Sequence, residues 1–101
     1  MPKPSVTARL ARWFQSCCNG EWEHELGINI ETLDHPGWSV TVDLEGTPLE
    51  EARFPQRSEA RSETDWIECR VQAAQFQGFG GTENLEELLG LFLDWAESAR
   101  A

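Results

Sequence analysis

At 101 residues the chain has the length of one ordinary domain, with room for a single hydrophobic core. Its 18 acidic against eight basic side chains give a formal net charge of -10. That excess argues against nucleic acid, which selects basic surfaces that release its counterions, and would steer the chain toward a basic protein. Apolar residues make up 40%, and five tryptophans and five phenylalanines with no tyrosine put much of the burial into a few large rings.

No run of 18 apolar residues exists, so no membrane span is expected. The opening MPKPSVTARLARWF lacks the uninterrupted apolar stretch and cleavage site of a secretory signal, which predicts a cytoplasmic protein. Cys17 and Cys18 are adjacent and Cys69 is distant. Three cysteines in that arrangement read as reduced thiols packed as small core residues. They lack the paired spacing of a zinc site, so neither metal nor cofactor is expected.

In chain order, Val6, Leu10, Trp13, Phe14 and Cys17 recur at three- and four-residue spacing, which predicts an amphipathic helix from Ser5 to Cys17. Ser5 or Thr7 can cap it, and Asn19-Gly20 stops it. Ile28 and Ile30 alternate with Asn29 and Glu31, and Trp38, Val40, Val42 and Leu44 with Ser39, Thr41 and Asp43. These read as two half-buried antiparallel strands joined by an Asp34-His35-Pro36-Gly37 turn. Glu45-Gly46-Thr47 is a second turn, Pro48 to Phe54 reads as a short edge strand, and Pro55 to Thr64 as a solvated loop.

From Asp65 to Gln75 the alternation of Ile67, Cys69, Val71 and Ala73 with Glu68, Arg70 and Gln72 predicts the longest strand, broken by Gly78-Phe79-Gly80-Gly81. The final segment places Leu85, Leu88, Leu89, Phe92, Trp95 and Ala99 on one helical stripe. Thr82 or Asn84 can cap this helix, and Asn84 with Glu87 has capping-box spacing. The order predicts one α+β domain, an antiparallel sheet of three to four strands with the N- and C-terminal helices packed on one face. Leu10, Trp13, Phe14, Leu88, Phe92 and Trp95 are expected to be buried together, and the other sheet face is left to solvent or a partner.

No dinucleotide, P-loop, nucleophile-elbow or HExxH motif occurs, so no enzyme is indicated. The glycines at 78 to 81 precede a helix, but Glu83, Glu86 and Glu87 would repel a phosphate there. The densest polar cluster is Glu21, Glu23 and His24 before the first strand, with Asp34 and His35 in the turn after it. It could hold a divalent metal or act in a small metal-dependent hydrolase. The plainer reading is that Glu23 and His24 brace their loop and Asp34 bonds its own turn. Trp22, in a polar loop, is either a buried anchor or an exposed hot spot.

The block CNGEWEHELGINIETLDHPGWSVTVDLEGT, from Cys18 to Thr47, and NLEELLGLFLDWA near the C-terminus together resemble the immunity protein 53 family of bacterial polymorphic toxin systems. The chain departs from that pattern mildly at Asn19, Glu21, Leu26 and His35. The resemblance implies a cytosolic antidote that binds a cognate toxin domain and blocks it. The acidic charge suits a basic toxin such as a nuclease. Glu21, Trp22, Glu23, His24, Asp34 and Trp38 are the candidate partner-binding residues, and the outward sheet face around Thr41, Asp43, Glu68 and Arg70 is the next. A non-toxin adaptor is a further reading, and the aromatic stripes could also bury a homodimer surface.

Overall fold

The computed structural model describes residues 4–99. Helix α1 spans Val6–Cys17 and a single-turn helix α2 spans Trp22–Glu25. Strands β1 (Ile28–Leu33), β2 (Gly37–Asp43), β3 (Arg57–Ala60), β4 (Trp66–Gln72) and β5 (Gln75–Gly80) follow, and α3 (Leu85–Ala99) closes the order. All five strands join one antiparallel sheet in the order β1-β2-β5-β4-β3, so the fold is α+β with one strand more than the three to four predicted.

Helix α1 starts where a serine can cap it: Ser5 Oγ accepts the backbone N–H of Ala8 at 3.1 Å. Helix α3 lies on the sheet over β5 and β2, and α1 packs on α3. Arg9 ties the two helices by pairing with Asp94 at 2.8 Å and Glu97 at 3.0 Å. Between helices and sheet runs a continuous path of rings. Trp13 meets Phe92 edge-on at 5.0 Å, Phe92 meets Phe76 at 5.1 Å, and Phe54 stands edge-on to Phe76 and Trp95 at 5.4 and 5.2 Å. Val40, Val42, Leu44, Ile67 and Cys69 complete this core from the sheet.

Of the six residues expected to be buried together, Trp13, Leu88 and Phe92 are buried, and Leu10 and Trp95 are half-buried against them. Phe14 is 37% exposed, at the margin of the helix stripe, with its ring 6.0 Å from that of Trp22. The cysteines divide similarly: Cys69 is buried, and burial pushes its thiol up to about 11, Cys17 is half-buried, and Cys18 is exposed rather than in the core.

Three expectations between the hairpin and α3 are corrected. Pro48 to Phe54 is a succession of turns rather than an edge strand. Thr47 drives this by donating its hydroxyl to Leu44 O at 2.7 Å and accepting Leu49 N–H at 3.1 Å, which coils the chain and drops Leu49 into the core. Within the stretch read as a solvated loop, Arg57 to Ala60 is the edge strand β3, paired only with β4. The long strand expected from Asp65 to Gln75 ends at Gln72, where Ala73 and Ala74 (φ 55 and 57) turn the chain back. The supposed glycine break is therefore the second half of β5, a central strand.

Those glycines bring α3 close to the sheet. A Cβ at Gly78 would lie 3.4 Å from Leu88 Cδ2, and one at Gly80 would lie 3.1 Å from Leu88 Cδ1 and from Asn84 Cβ. Leu88 thus rests in a notch that any larger residue would fill. The start of α3 is fixed by a polar knot. Arg61 pairs with Glu87 at 2.6 Å, Asp65 at 2.9 Å and Glu59 at 3.2 Å. The Asn84 side-chain amide, buried at that point, donates to Asp65 and Glu87 at 2.9 Å each. The Asn84 amide therefore links Glu87 in the first turn of α3 to Asp65 just before β4, rather than forming a reciprocal capping box.

Two stability tests follow from the backbone. At Gly37 a Cβ would collide with the carbonyl oxygen of Gly80 in the neighbouring strand. Gly37→Ala should therefore cost about 2 kcal/mol or more in urea denaturation. Ala74→Gly should add about 0.5 to 1 kcal/mol by relieving the left-handed conformation. A destabilised Ala74→Gly variant would show that the turn is unstrained.

The polar knot sets the acid response. Arg61, with Asn84, holds the carboxyls of Asp65 and Glu87 below their ordinary values of 3.8 and 4.5. The unfolded chain then binds more protons, so this stabilisation is complete above those ordinary values and is lost as pH falls through the lower folded ones. Urea denaturation between about pH 6 and 3 should show this loss, and Arg61→Gln should make the decline shallower. An unchanged acid limb in the variant would refute the assignment.

Candidate functional site

The six residues singled out from the sequence fall at two ends of the β1–β2 hairpin. Glu21, Trp22, Glu23 and His24 lie at α2, just before β1 begins, and Asp34 and Trp38 lie at or beside the turn where β1 has ended. Six residues of strand separate the groups by about 20 Å. The structure therefore does not unite Glu21, Glu23 and His24 with Asp34, as the hydrolase alternative required. Among the described residues, no three His, Cys, Asp or Glu side chains converge to hold a metal ion.

Within the α2 group the side chains serve the loop. Asn19 Oδ1 accepts the backbone N–H groups of Glu21 and Trp22, both at 2.9 Å. In return, the Glu23 carboxylate accepts those of Asn19 and Gly20 at 3.0 and 2.8 Å. Its own backbone N–H and those two donors hold the Glu23 carboxyl below its usual range. Trp22 is 6% exposed, its ring lies 6.1 Å from Trp13, and its indole N–H donates to Glu45 O at 2.8 Å. It anchors α2 to the turn after β2, so its ring is closed to a partner. Glu21 and His24 remain exposed.

At the other end, Trp38 points to the helix side of the sheet with Val40 and Val42, half-buried, and donates its indole N–H to Thr82 O at 2.9 Å. It pins the link between β5 and α3. Asp34 is exposed, and its side chain makes no hydrogen bond among the described residues, so the expected bond to its own turn is not formed.

No described element covers the opposite face of the sheet. Strand register places Glu31, Ser39, Phe79, Glu68 and Ser58 in one row across it, and Asn29, Thr41, Gln77 and Arg70 in the next. Trp66 and Phe79 are half-buried and stand outside the core cluster. The His35 ring stacks near Trp66 with centroids 6.4 Å apart, and the Arg70 guanidinium lies 5.5 Å from the Phe79 ring centre. A line of hydrogen bonds crosses the face from Arg70 through Gln77 and Gln75 to Asp43, which accepts the Gly27 backbone N–H at 2.9 Å. Glu31 and Glu68 have no bonded partner among the described residues.

This face joins the features that mark a protein interface: large rings partly open to solvent, charges without internal partners, and a surface held rigid by its own bonds. Thr41, Asp43, Glu68 and Arg70 on it were legible as outward positions. Phe79 was missed because β5 was not recognised, and Trp66 was passed over although it alternates onto the same face of β4 as Glu68 and Arg70. The period-two pattern of QFQGFG, with Gln75, Gln77 and Phe79 opposite Phe76, Gly78 and Gly80, was the available signal.

No helix among the described residues is long and apolar enough to cross a membrane. The family model described as immunity protein 53 matches residues 7–97. No curated protein and no solved structure matches the chain.

Burial predicts how Trp22 responds to substitution. Trp22→Ala should destabilise the fold by about 3 to 5 kcal/mol. Trp22→Phe should cost less, about 1 to 3 kcal/mol, by leaving Glu45 O without its donor and part of the ring volume empty. Thermal melting is the check, and a Trp22→Ala variant as stable as the parent would return the ring to the list of surface residues.

Proposed function

The chain belongs to the immunity protein 53 family, and from that premise we propose that it is an antitoxin that binds a cognate toxin domain one-to-one and neutralises it by occlusion. The observation that carries this reading is the family match over residues 7–97, nearly the whole chain. The charge of -10 supports it, since an acidic inhibitor is drawn to a toxin made basic by a phosphate-bearing substrate, with a nuclease domain the favoured class. The toxin is met in the cytoplasm of the producing cell, and the antitoxin performs no chemistry on it. Asp34 is an exposed acceptor for such a partner, whereas Glu21 and His24 stand exposed at the other end of the hairpin and Trp22, Glu23 and Trp38 act by holding the surface in shape.

The test uses the toxin encoded beside this gene. Calorimetry should give one antitoxin per toxin. Co-expression should protect cells, and the association rate should fall as salt rises while dissociation changes little. Full inactivation of the toxin by a small molar fraction of the chain would point instead to an enzyme, and absence of both binding and protection would remove the antitoxin reading.

A further inference from the structure

We propose that the bare face of the sheet is the toxin-binding surface and that it takes a basic protein surface, arginine or lysine side chains set around an apolar centre. This rests on the antitoxin reading and adds the place and chemistry of contact. Three features of the face converge. The face and its adjoining turn carry Glu31, Asp34, Asp43 and Glu68 against a single guanidinium, Arg70. That guanidinium is already engaged by Gln77 at 2.9 Å and by the Phe79 ring. An arriving cation therefore meets Glu31, Asp34 and Glu68 without internal competition.

Phe79 sits in the same row as Glu31 and Glu68, between them, and the Trp66 and His35 rings lie at the turn end of the face. A cationic side chain reaching this end finds both a carboxylate and an aromatic ring, the pairing that makes interface arginines energetic centres. The line of bonds from Arg70 to Asp43 fixes half the face in advance, so little side-chain freedom is lost on docking. The exposed acids at α2 lack this setting. Glu21 and Glu25 surround a tryptophan that is turned inward.

The experiment compares the full chain with the double variant Glu31→Lys/Glu68→Lys, with Ser39→Arg, which places bulk beside Phe79, and with a control, Glu21→Lys/Glu25→Lys. Each is melted to confirm its fold and then titrated against the toxin from the neighbouring gene. The two open-face variants should bind at least about 100-fold more weakly and lose protection, with the control within about threefold of the parent. Hydroxyl-radical footprinting of the unaltered complex should show Trp66 and Phe79 shielded, a reading that stands even if a variant fails to fold. Parent-like binding by folded open-face variants, or unshielded rings, overturns the surface while leaving the antitoxin reading intact. Sedimentation showing that the free chain is a dimer separated by Ser39→Arg assigns the face to a second copy and also overturns the proposal. A parent chain that neither binds nor protects removes both.

Discussion

The seating of Leu88 on the glycines of β5 is the contact on which the rest of the molecule depends. With no side chain at Gly78 or Gly80, α3 approaches the middle of the sheet, and Leu88 fills the space a Cβ would have taken. That approach sets the height of Phe92 above Phe76 and so the whole path of rings out to Trp13 and Trp95. Burial of each such side chain contributes about 1.5 to 3 kcal/mol. The same approach brings Asn84 within reach of Asp65, closing the polar knot with Arg61. A methyl group in this notch would disturb both.

Because the helices crowd onto one side, the other side of the sheet is left with what the strands alone supply. Alternation sends Val40, Val42, Ile67, Cys69 and Phe76 inward and leaves Phe79 and Trp66 outward with the glutamines and acids. The stabilising interactions and the candidate binding surface are thus opposite faces of the same strands. Substitutions outward of β5 can alter that candidate surface while the core remains filled.

The loop before β1 illustrates the opposite arrangement. Its acids, histidine and tryptophan look like a site when read as a string, but the Glu23 and Asn19 side chains spend their hydrogen bonds on neighbouring backbone, and Trp22 is committed to Glu45. Such reciprocal bonding satisfies backbone donors that a tight loop would otherwise leave unpaired. In this chain the residues that carry the resemblance to the family fix a local shape, and that shape turns α2 toward the core.

Both terminal helices, the β1–β2 hairpin, its turn and the acidic character were determined by the sequence itself, because each rests on spacing within a short window or on simple counting. Ser5 capping α1 and the outward order of Glu68 and Arg70 were legible in the same way. What only the tertiary structure decided was how distant segments meet. Glycines at 78 and 80 are breakers by local propensity, yet they form a central strand because β2 and β4 hydrogen-bond both its edges and α3 needs the room. Arg57 to Ala60 becomes a strand because β4 offers an edge, not because its residues prefer one. The separation of the two polar clusters and the inward turn of Trp22 were settled likewise, since direction along a strand and depth in a core belong to the assembled sheet and helices and to no window of sequence.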